Sequence, residues 1–446
     1  MMMTYQFDVL YLGSGHGTFD GAIPLAAKGL RVGVIEANKI GGTCPNYGCN
    51  AKILLDAPVQ LQREFERLNG HGISGQVQID WAADVKHKDM VIQDLPAMIA
   101  GGLREQGVEI IHGHGRFVDA HTVTVDGKEY TAEKIVIATG LRPKPLTIEG
   151  QAYVHDSTDF MALDHMPDKL VIIGSGYIAL EFATIANAAG AQVTVLFNHE
   201  AGLKQFHQPY VELVLSDLIQ RGVTIVRDVK TQAIQSQADH LIVVTNQSTY
   251  AADWILNATG RIPNTDELGL AAIGVQTTEQ GIVVNDHLQT TVANIYASGD
   301  VLDKKQPKLT PTAIFESLYL MRQFAGMTDQ AIDYPVIPTV VFTSPRIAQA
   351  GISVSEAQAM PTKYEIKRNK ISDSWYRQVT QETVGESTLI FDRESGHLVG
   401  AIEVSAQADD VINTLLPAIE FDYTAEQLNR LVPLFPSITS DALGML

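Results

Sequence analysis

Cysteine is nearly absent: the 446 residues contain two, Cys44 and Cys49, separated by four residues. So few thiols leave no second cysteine pair to complete a zinc site, which takes about three or four ligands. Basic residues are also short. Lys and Arg number 32 against 51 Asp and Glu, a formal net charge of −19. That balance argues against nucleic acid or an anionic membrane as partner, and for a soluble, self-repelling surface. No apolar run reaches the ~18 residues of a membrane-spanning helix. The start, Met1–Met2–Met3–Thr4–Tyr5–Gln6, carries no basic segment with an apolar stretch and cleavage site, so a cytoplasmic location is expected. In a reducing cytosol a close cysteine pair points to catalysis rather than to structure.

What is present is ample core material, 45% hydrophobic residues, over a length that suggests about three domains. The apolar run Asp8–Leu12 ends at Gly13–Ser14–Gly15–His16–Gly17–Thr18. A helix-like stretch follows to Gly29, then Arg31–Ile35 and the acid Glu36. This is the pattern of a βαβ dinucleotide unit. Its glycines let the backbone turn and approach a pyrophosphate, the helix N-terminus faces that charge, and Glu36 is placed to accept from a ribose hydroxyl. Two features depart from the pattern: Thr18 stands where a third glycine belongs, and Pro24 removes a backbone donor from the helix.

The cysteines follow, in Gly41–Gly42–Thr43–Cys44–Pro45–Asn46–Tyr47–Gly48–Cys49. Alone, this spacing is compatible with half a metal site, two unrelated buried thiols or a redox pair. The nucleotide unit before it and the helical start Asn50–Leu55 after it select the redox pair. A helix N-terminus lowers a thiol's pKa, and Lys52 stands three residues beyond Cys49 on the same face. Amphipathic helices are expected over Gln60–Leu68 and Asp89–Gln106. His112 and His114 lack further ligands and read as surface groups, so no metal site is expected. Thr122–Val125 and Lys128–Tyr130 read as a hairpin about Asp126–Gly127. A strand Lys134–Ala138 stops at Thr139–Gly140, and Pro143, Pro145 and Gly150 mark a domain crossing.

A second βαβ unit opens with Leu170–Ile173 and Gly174–Ser175–Gly176–Tyr177–Ile178–Ala179. Its helix runs through Glu181 to Ala189, and Gln192–Leu196 is its second strand. An acid directly after that strand prefers NAD, whereas basic residues favour the NADP phosphate. Here the tip reads Phe197–Asn198–His199–Glu200 with Lys204 nearby, which favours NADPH over NADH. The unit closes with Trp254–Asn264, including Gly260 and Arg261. Asn294–Asp300 then presents an acid at a strand's carboxyl end, placed to hold a ligand hydroxyl.

These pieces, in this order and over essentially the whole chain, resemble the FAD-dependent pyridine nucleotide–disulfide oxidoreductases, the family of glutathione reductase, dihydrolipoamide dehydrogenase and mercuric reductase. Leu309–Thr310–Pro311 and Ile337–Phe342 match as well. The resemblance implies an α/β fold of two Rossmann-like domains, for FAD and NAD(P), with a C-terminal α+β dimerisation domain. The implied boundaries are 1–149 and 281–334 for FAD, 150–280 for NAD(P) and 335–446 for the interface of a homodimer. It implies FAD contacts from Gly13, Gly15, Gly17, Glu36, Gly42, Thr43, Lys52, Gly115, Thr139, Gly140, Asp300 and Thr310. It implies nicotinamide-cofactor contacts from Gly174, Gly176, Tyr177, Ile178, Glu181, Asn198, His199, Lys204, Gly260 and Arg261. Cys49 would face the flavin, Cys44 would attack substrate, Lys52 and Glu181 would pair beside the flavin N5, and Tyr177 would gate the nicotinamide pocket. Electrons would pass from NAD(P)H through FAD to Cys44–Cys49 and on to a small disulfide.

The C-terminus departs from the family. Its members end in a His–Pro pattern followed by an acid, which protonate the leaving thiol. Here Leu434–Phe435–Pro436–Ser437–Ile438–Thr439–Ser440–Asp441 puts Phe435 at the histidine position and Ser440 at the acid position, with Asp441 one residue late. General acid–base help of ~10²–10⁴-fold is missing with it. The position of Lys52 is a smaller departure, because the family usually has one more residue between the second cysteine and this lysine. A working disulfide reductase is the main reading. Its alternatives are a reductase of another acceptor (quinone, metal ion or oxygen), a proton-excluding variant acting on a thiol-bound substrate, and a flavoprotein with little turnover. The extra C-terminal cysteines of mercuric reductase are absent.

Overall fold

The computed structural model describes residues 5–446; Met1–Thr4, the first part of the N-terminal reading, lie outside the described residues. The chain forms two compact units. One comprises the chain up to Ile53, Lys86–Lys144 and Arg261–Tyr334; the other comprises Leu54–Val85, Pro145–Gly260 and Pro335–Leu446. The compact units therefore divide differently from the expected boundaries. The chain re-enters the first unit at Arg261 rather than 281, because Arg261–Pro263 pairs antiparallel with Leu141–Pro143.

In the first unit, Phe7–Leu12 lies between two parallel neighbours, Val32–Glu36 on one side and the second half of Lys128–Ile137 on the other. Glu109–His112 extends the sheet beyond Val32–Glu36, and Ile295–Ala297 adds parallel to Lys128–Ile137. Val9, Leu10, Tyr11, Val34, Ile135 and Ile137 are all buried. A strand covered on both faces needs such a continuous apolar run instead of alternation. The hairpin about Asp126–Gly127 is present, with Val125 opposite Lys128. Its second strand and the expected strand Lys134–Ala138 are, however, one strand, Lys128–Ile137. The first half pairs antiparallel with Thr122–Val125 and the second half parallel with Phe7–Leu12, so the strand changes partner without a turn.

The expected helix over Asp89–Gln106 is two helices, Trp81–Ile92 and Leu95–Glu105. Pro96 has no N–H to donate and sits in the first turn of the second helix, where none is needed, with Asp94 before its start. The expected Gln60–Leu68 helix begins earlier, as Cys49–Leu68 with Pro58 inside it.

The second unit holds a parallel sheet in the order Thr224–Val226, Gln192–Leu196, Lys169–Ile173, Trp254–Asn257. It also holds a three-stranded antiparallel sheet over residues 231–252. Its C-terminal part is a five-stranded antiparallel sheet, with Arg346–Gly351, Leu398–Ser405 and Glu386–Asp392 at its centre. The helix Ala408–Glu420 buries Val411, Ile412 and Leu415 in the same core. Two Rossmann-like sheets and a separate α+β sheet are the fold class read from the sequence. Among the described residues, no helix is long and apolar enough to cross a membrane.

Candidate functional site

The first glycine turn is shaped by close backbone approach. Gly13 has φ +99°, and a Cβ there would stand 2.4 Å from the Ala138 carbonyl oxygen. Gly42 has φ +68°, and a Cβ would stand 2.9 Å from the Cα of Gly15, so the cysteine loop lies against the turn. Gly17 is packed by Ser298, whose Oγ donates to the Gly17 carbonyl at 2.6 Å. Thr18, at the third glycine position, is buried and donates its hydroxyl to the Gly13 carbonyl at 2.9 Å, closing the turn internally. The close helix packing that a third glycine would provide occurs instead at Gly21. Its amide donates to Ser317 Oγ at 2.9 Å, and a Cβ would meet the Ser317 carbonyl at 2.3 Å.

Glu36 accepts from Ser14 N at 2.9 Å and Ser14 Oγ at 2.6 Å with one oxygen, and from Asn38 N at 2.8 Å with the other. These bonds aim the carboxylate at the end of its strand. Ser14 Oγ in turn receives the Gly41 amide at 3.0 Å, tying the fingerprint to the cysteine loop. Thr139 Oγ1 donates to the Asn264 carbonyl at 2.6 Å and Asn264 Nδ2 donates to the Thr139 carbonyl at 2.8 Å, which fixes the Thr139–Gly140 corner. Gly115 sits over the strand ends, where a Cβ would meet Leu12 at 2.9 Å.

Asp300 supplies a test of whether a bulky cofactor belongs here. Its Oδ1 is buried and has no hydrogen-bond partner. Burial pushes its carboxyl up, against the pull of Lys304, Arg261 and Lys308. An orphaned acceptor beside a cradle that Cβ atoms would fill fits the hydroxyl-bearing chain of a flavin dinucleotide. Arg261 donates to the Leu141 carbonyl at 2.7 Å and lies in this unit.

The thiol pair is held between two short helical segments. Cys44 lies in Thr43–Tyr47 and Cys49 opens Cys49–Leu68. Gly48 joins them at a close approach, with a Cβ there 3.1 Å from the Thr43 carbonyl. Asn46 braces the loop from within, donating to the carbonyls of Ile40 at 3.0 Å and Gly42 at 2.8 Å. Both cysteines are free thiols in this structure, Cys44 partly buried and Cys49 exposed. They are chemically unequal. The Cys44 S–H bonded to it brings Cys49 down to about 6; the Thr310 hydroxyl, 3.4 Å away, and Lys52 act in the same direction, against burial. Cys44 is pushed up, first by its bond to Cys49 and then by burial. Thr310 opens the helix Thr310–Phe324, whose N-terminus has no side-chain cap and favours a nearby anion. Gly48, Asn46 and Ser14 were not singled out from the sequence. Their signal is position, since each lies within the Gly13–Cys49 motifs.

In the second unit, Gly174 has φ +143°, and a Cβ would stand 2.2 Å from the Ala258 carbonyl. Gly176 faces open space and caps Tyr177–Ala188 without a side-chain bond, leaving amides available to a phosphate. Ile178 is partly buried in the first turn of that helix, and Tyr177 beside it is 43% exposed. Glu181, one turn on, is buried and accepts from the Phe342 amide at 2.9 Å. Leu203 N donates to the Ser175 carbonyl at 2.9 Å, which brings the loop carrying Lys204 against the glycine turn. Asn198, His199, Lys204 and Gly260 are exposed.

At the C-terminus, Phe435 is 74% exposed and packs on Trp375 with ring centroids 5.8 Å apart. Asp441 is committed elsewhere: it accepts from Arg377 Nε and Ser374 Oγ, each at 3.1 Å. Arg377 is itself buried and also donates to Glu382 at 3.1 Å and Glu403 at 2.8 Å. Ser440 Oγ donates to the Ser437 carbonyl within the last helix. Among the described residues, no group of three or more His, Cys, Asp or Glu side chains is placed to hold a metal ion.

Comparison with known proteins agrees with this geometry. Residues 7–317 match the pyridine nucleotide-disulphide oxidoreductase profile, and residues 337–443 match that family's dimerisation domain. The mercuric reductase of Lysinibacillus sphaericus is 33% identical over 438 residues, 95% of this chain and 79% of that protein. The glutathione reductase of Nostoc sp. is 30% identical over 460 residues, 99% of this chain and 100% of that one. The HOCl-induced flavoprotein disulfide reductase RclA from Escherichia coli has the same fold, with a TM-score of 0.89 at 24% identity over 99% of both chains. By profile and identity, the chain belongs to the pyridine nucleotide–disulphide oxidoreductase family, enzymes that use FAD and a nicotinamide cofactor for disulfide-type oxidoreduction.

Proposed function

We propose that the protein is a cytoplasmic, homodimeric reductase of a small disulfide that draws its electrons from NADPH through Cys44 and Cys49. One observation carries this reading: two thiols in bonding contact with opposite acidities, Cys49 low at about 6 and Cys44 high. A thiolate beside a thiol is a reduced pair divided into a charged, flavin-facing member and a nucleophile in waiting. Cys44 hands its proton to Cys49 and attacks one substrate sulfur. The substrate S–S bond breaks, and the first thiol leaves with a proton from solvent, Phe435 having none to give. The Cys49 proton is then lost, and Cys49 Sγ attacks Cys44 Sγ, releasing the second thiol and leaving the Cys44–Cys49 disulfide. Bound FAD supplies the hydride chemistry that connects the nicotinamide to this disulfide.

In this reading Gly13, Gly15 and Gly17 receive the FAD pyrophosphate, Glu36 its adenosine ribose and Asp300 its ribityl chain. Gly42, Thr43, Gly115, Thr139, Gly140 and Thr310 line the cofactor, and Lys52 and Glu181 serve its redox end. Gly174, Gly176 and Ile178 receive the nicotinamide cofactor's pyrophosphate and Tyr177 covers its ring, while Gly260 and Arg261 complete that site. Asn198, His199 and Lys204 favour the extra phosphate of NADPH.

A second reading, reduction of a thiophilic metal ion, is favoured by the engagement of Asp441 with Arg377. With Phe435 at the histidine position and Asp441 engaged by Arg377, neither residue is placed to protonate a leaving thiol, and a metal ion held by two thiolates needs no such proton. The experiment is an anaerobic dithionite titration followed by NADPH turnover assays. Uptake of about four electrons per flavin, falling to about two in Cys44→Ser, supports the redox pair. Uptake of only two by the wild type would sink it. Turnover with glutathione disulfide against turnover with Hg(II) then separates the two acceptors.

A further inference from the structure

The tip of the second unit's sheet carries a cation that sequence reading passed over. Arg227 follows the strand Thr224–Val226, the parallel neighbour of Gln192–Leu196, and so reaches the point where a dinucleotide's adenosine ribose is recognised. Its backbone surroundings are tied to that tip. Phe197 N donates to the Val226 carbonyl at 2.8 Å, and Asp228 N donates to the His199 carbonyl at 3.3 Å. The guanidinium itself donates to the Glu200 carbonyl at 3.1 Å, touching the Asn198–Glu200 tip directly. It is held there by a two-pronged pair with Glu212, at 2.9 and 2.7 Å, from the helix Gln208–Gln220. Glu200 adds a weaker contact at 3.7 Å.

A guanidinium fork matches a phosphate as well as it matches a carboxylate, and unlike lysine it offers two parallel N–H donors. Arg227 is also oriented in advance, because Glu212 and the Glu200 carbonyl restrict its rotamers before any ligand arrives. The carboxylate orients the fork and neutralises it at once. Lys204 and His199, by contrast, are exposed and offer no planar two-pronged fork. We propose that Arg227 is the specificity-determining cation for the adenosine 2′-phosphate of NADPH, and that Glu212, by competing for its guanidinium, sets how strongly that phosphate is preferred over the hydroxyl of NADH. The inference rests on the functional reading in requiring that the second βαβ unit takes NADPH.

The test uses the holoenzyme and follows bleaching of the flavin by NADPH and by NADH, with adenosine 2′,5′-bisphosphate and AMP as competitors. Arg227→Met lowers the NADPH-to-NADH ratio of kcat/KM by ~10–100-fold, the equivalent of one charge-assisted hydrogen bond, and weakens competition by the bisphosphate but not by AMP. Glu212→Gln, a change at a half-exposed surface position, moves the ratio the other way by up to ~10-fold. A ratio unmoved by Arg227→Met in a wild-type background that both nucleotides bleach overturns the role of Arg227 alone. A wild-type flavin that neither nucleotide bleaches overturns the functional reading and this inference with it.

Discussion

Thr310→Val tests the electrostatics of the thiol pair with a change that keeps the side chain's shape. Cys49 is lowered from an ordinary thiol value of 9.0 to about 6 by three favourable neighbours acting against burial: the Cys44 S–H, the Thr310 hydroxyl and Lys52. A hydrogen bond to a charged group is worth about 1.5–3 kcal/mol when sheltered. Here the bond is long, 3.4 Å, and Cys49 is exposed, so solvent screens it. A discounted ~1 kcal/mol corresponds to a pKa rise of somewhat less than one. The reduced wild-type enzyme is then alkylated by iodoacetamide with an inflection near pH 6, and Thr310→Val moves that inflection toward 7, slowing alkylation at pH 6 roughly threefold. Stability follows the same sign. A folded pKa depressed below the unfolded value contributes stability above pH 9 that is lost as pH falls toward 6, so the reduced protein gains stability over that window and the oxidised protein, lacking thiols, does not. A wild-type inflection above pH 8 refutes the thiolate at Cys49. An inflection identical in both proteins refutes Thr310 as its donor.

Four further outcomes are expected. Phe435→His raises NADPH-dependent turnover with glutathione disulfide by ~10-fold, short of the ~10²–10⁴-fold of a full acid–base pair because Asp441 stays with Arg377; unchanged or lower turnover disproves the missing-base argument. Arg377→Met strands Glu382, Glu403 and Asp441 without their cation and lowers unfolding free energy by about 3–5 kcal/mol in urea melts. Glu403 is raised by burial from 4.5 to about 7, so its contribution to stability is lost as pH rises from 4.5 through 7, and Glu403→Gln flattens that part of the pH profile. Gly21→Val drives a side chain into the Ser317 carbonyl and costs about 1–3 kcal/mol along with flavin retention, read as the absorbance ratio of purified protein.

The parts of the fold that were legible in the sequence are those in which a local physical need dictates residue type. Gly13, Gly42 and Gly174 are readable because only glycine tolerates their positive φ beside a carbonyl or a second backbone. Asp126–Gly127 is readable because the turn itself demands it. The placement of Glu36 and Asp300 is readable because each stands at the carboxyl end of a short apolar strand, Val32–Glu36 and Ile295–Ala297. What was not legible depends on residues distant in the chain. Lys128–Ile137 reads as two segments because its partners change from antiparallel to parallel midway, and neither partner is nearby in sequence. The helical packing role moved from Thr18 to Gly21 because Ser317, about 300 positions later, approaches there.

The same reasoning bears on the acceptor. From sequence, Asp441 is a candidate stand-in for the missing acid, one position from where the family keeps it. Its availability depends on Arg377, which is buried among three carboxylates and draws Asp441 into the C-terminal core. The two carboxylate oxygens of Asp441 are taken up by Ser374 Oγ and Arg377 Nε, which commits the side chain to that contact. Ser440, the other candidate, spends its hydroxyl on its own helix. Neither Ser440 nor Asp441 is therefore free to take the histidine's part, and the proposed function expects an acceptor whose reduction tolerates that loss: a disulfide with an acidic leaving thiol, or a species that leaves no thiol. For disulfides, the Brønsted dependence of turnover on leaving-group pKa decides between them. A rate that falls steeply as the leaving thiol becomes more basic fits an unassisted departure, and a flat dependence requires a proton donor that Phe435, Ser440 and Asp441 do not supply.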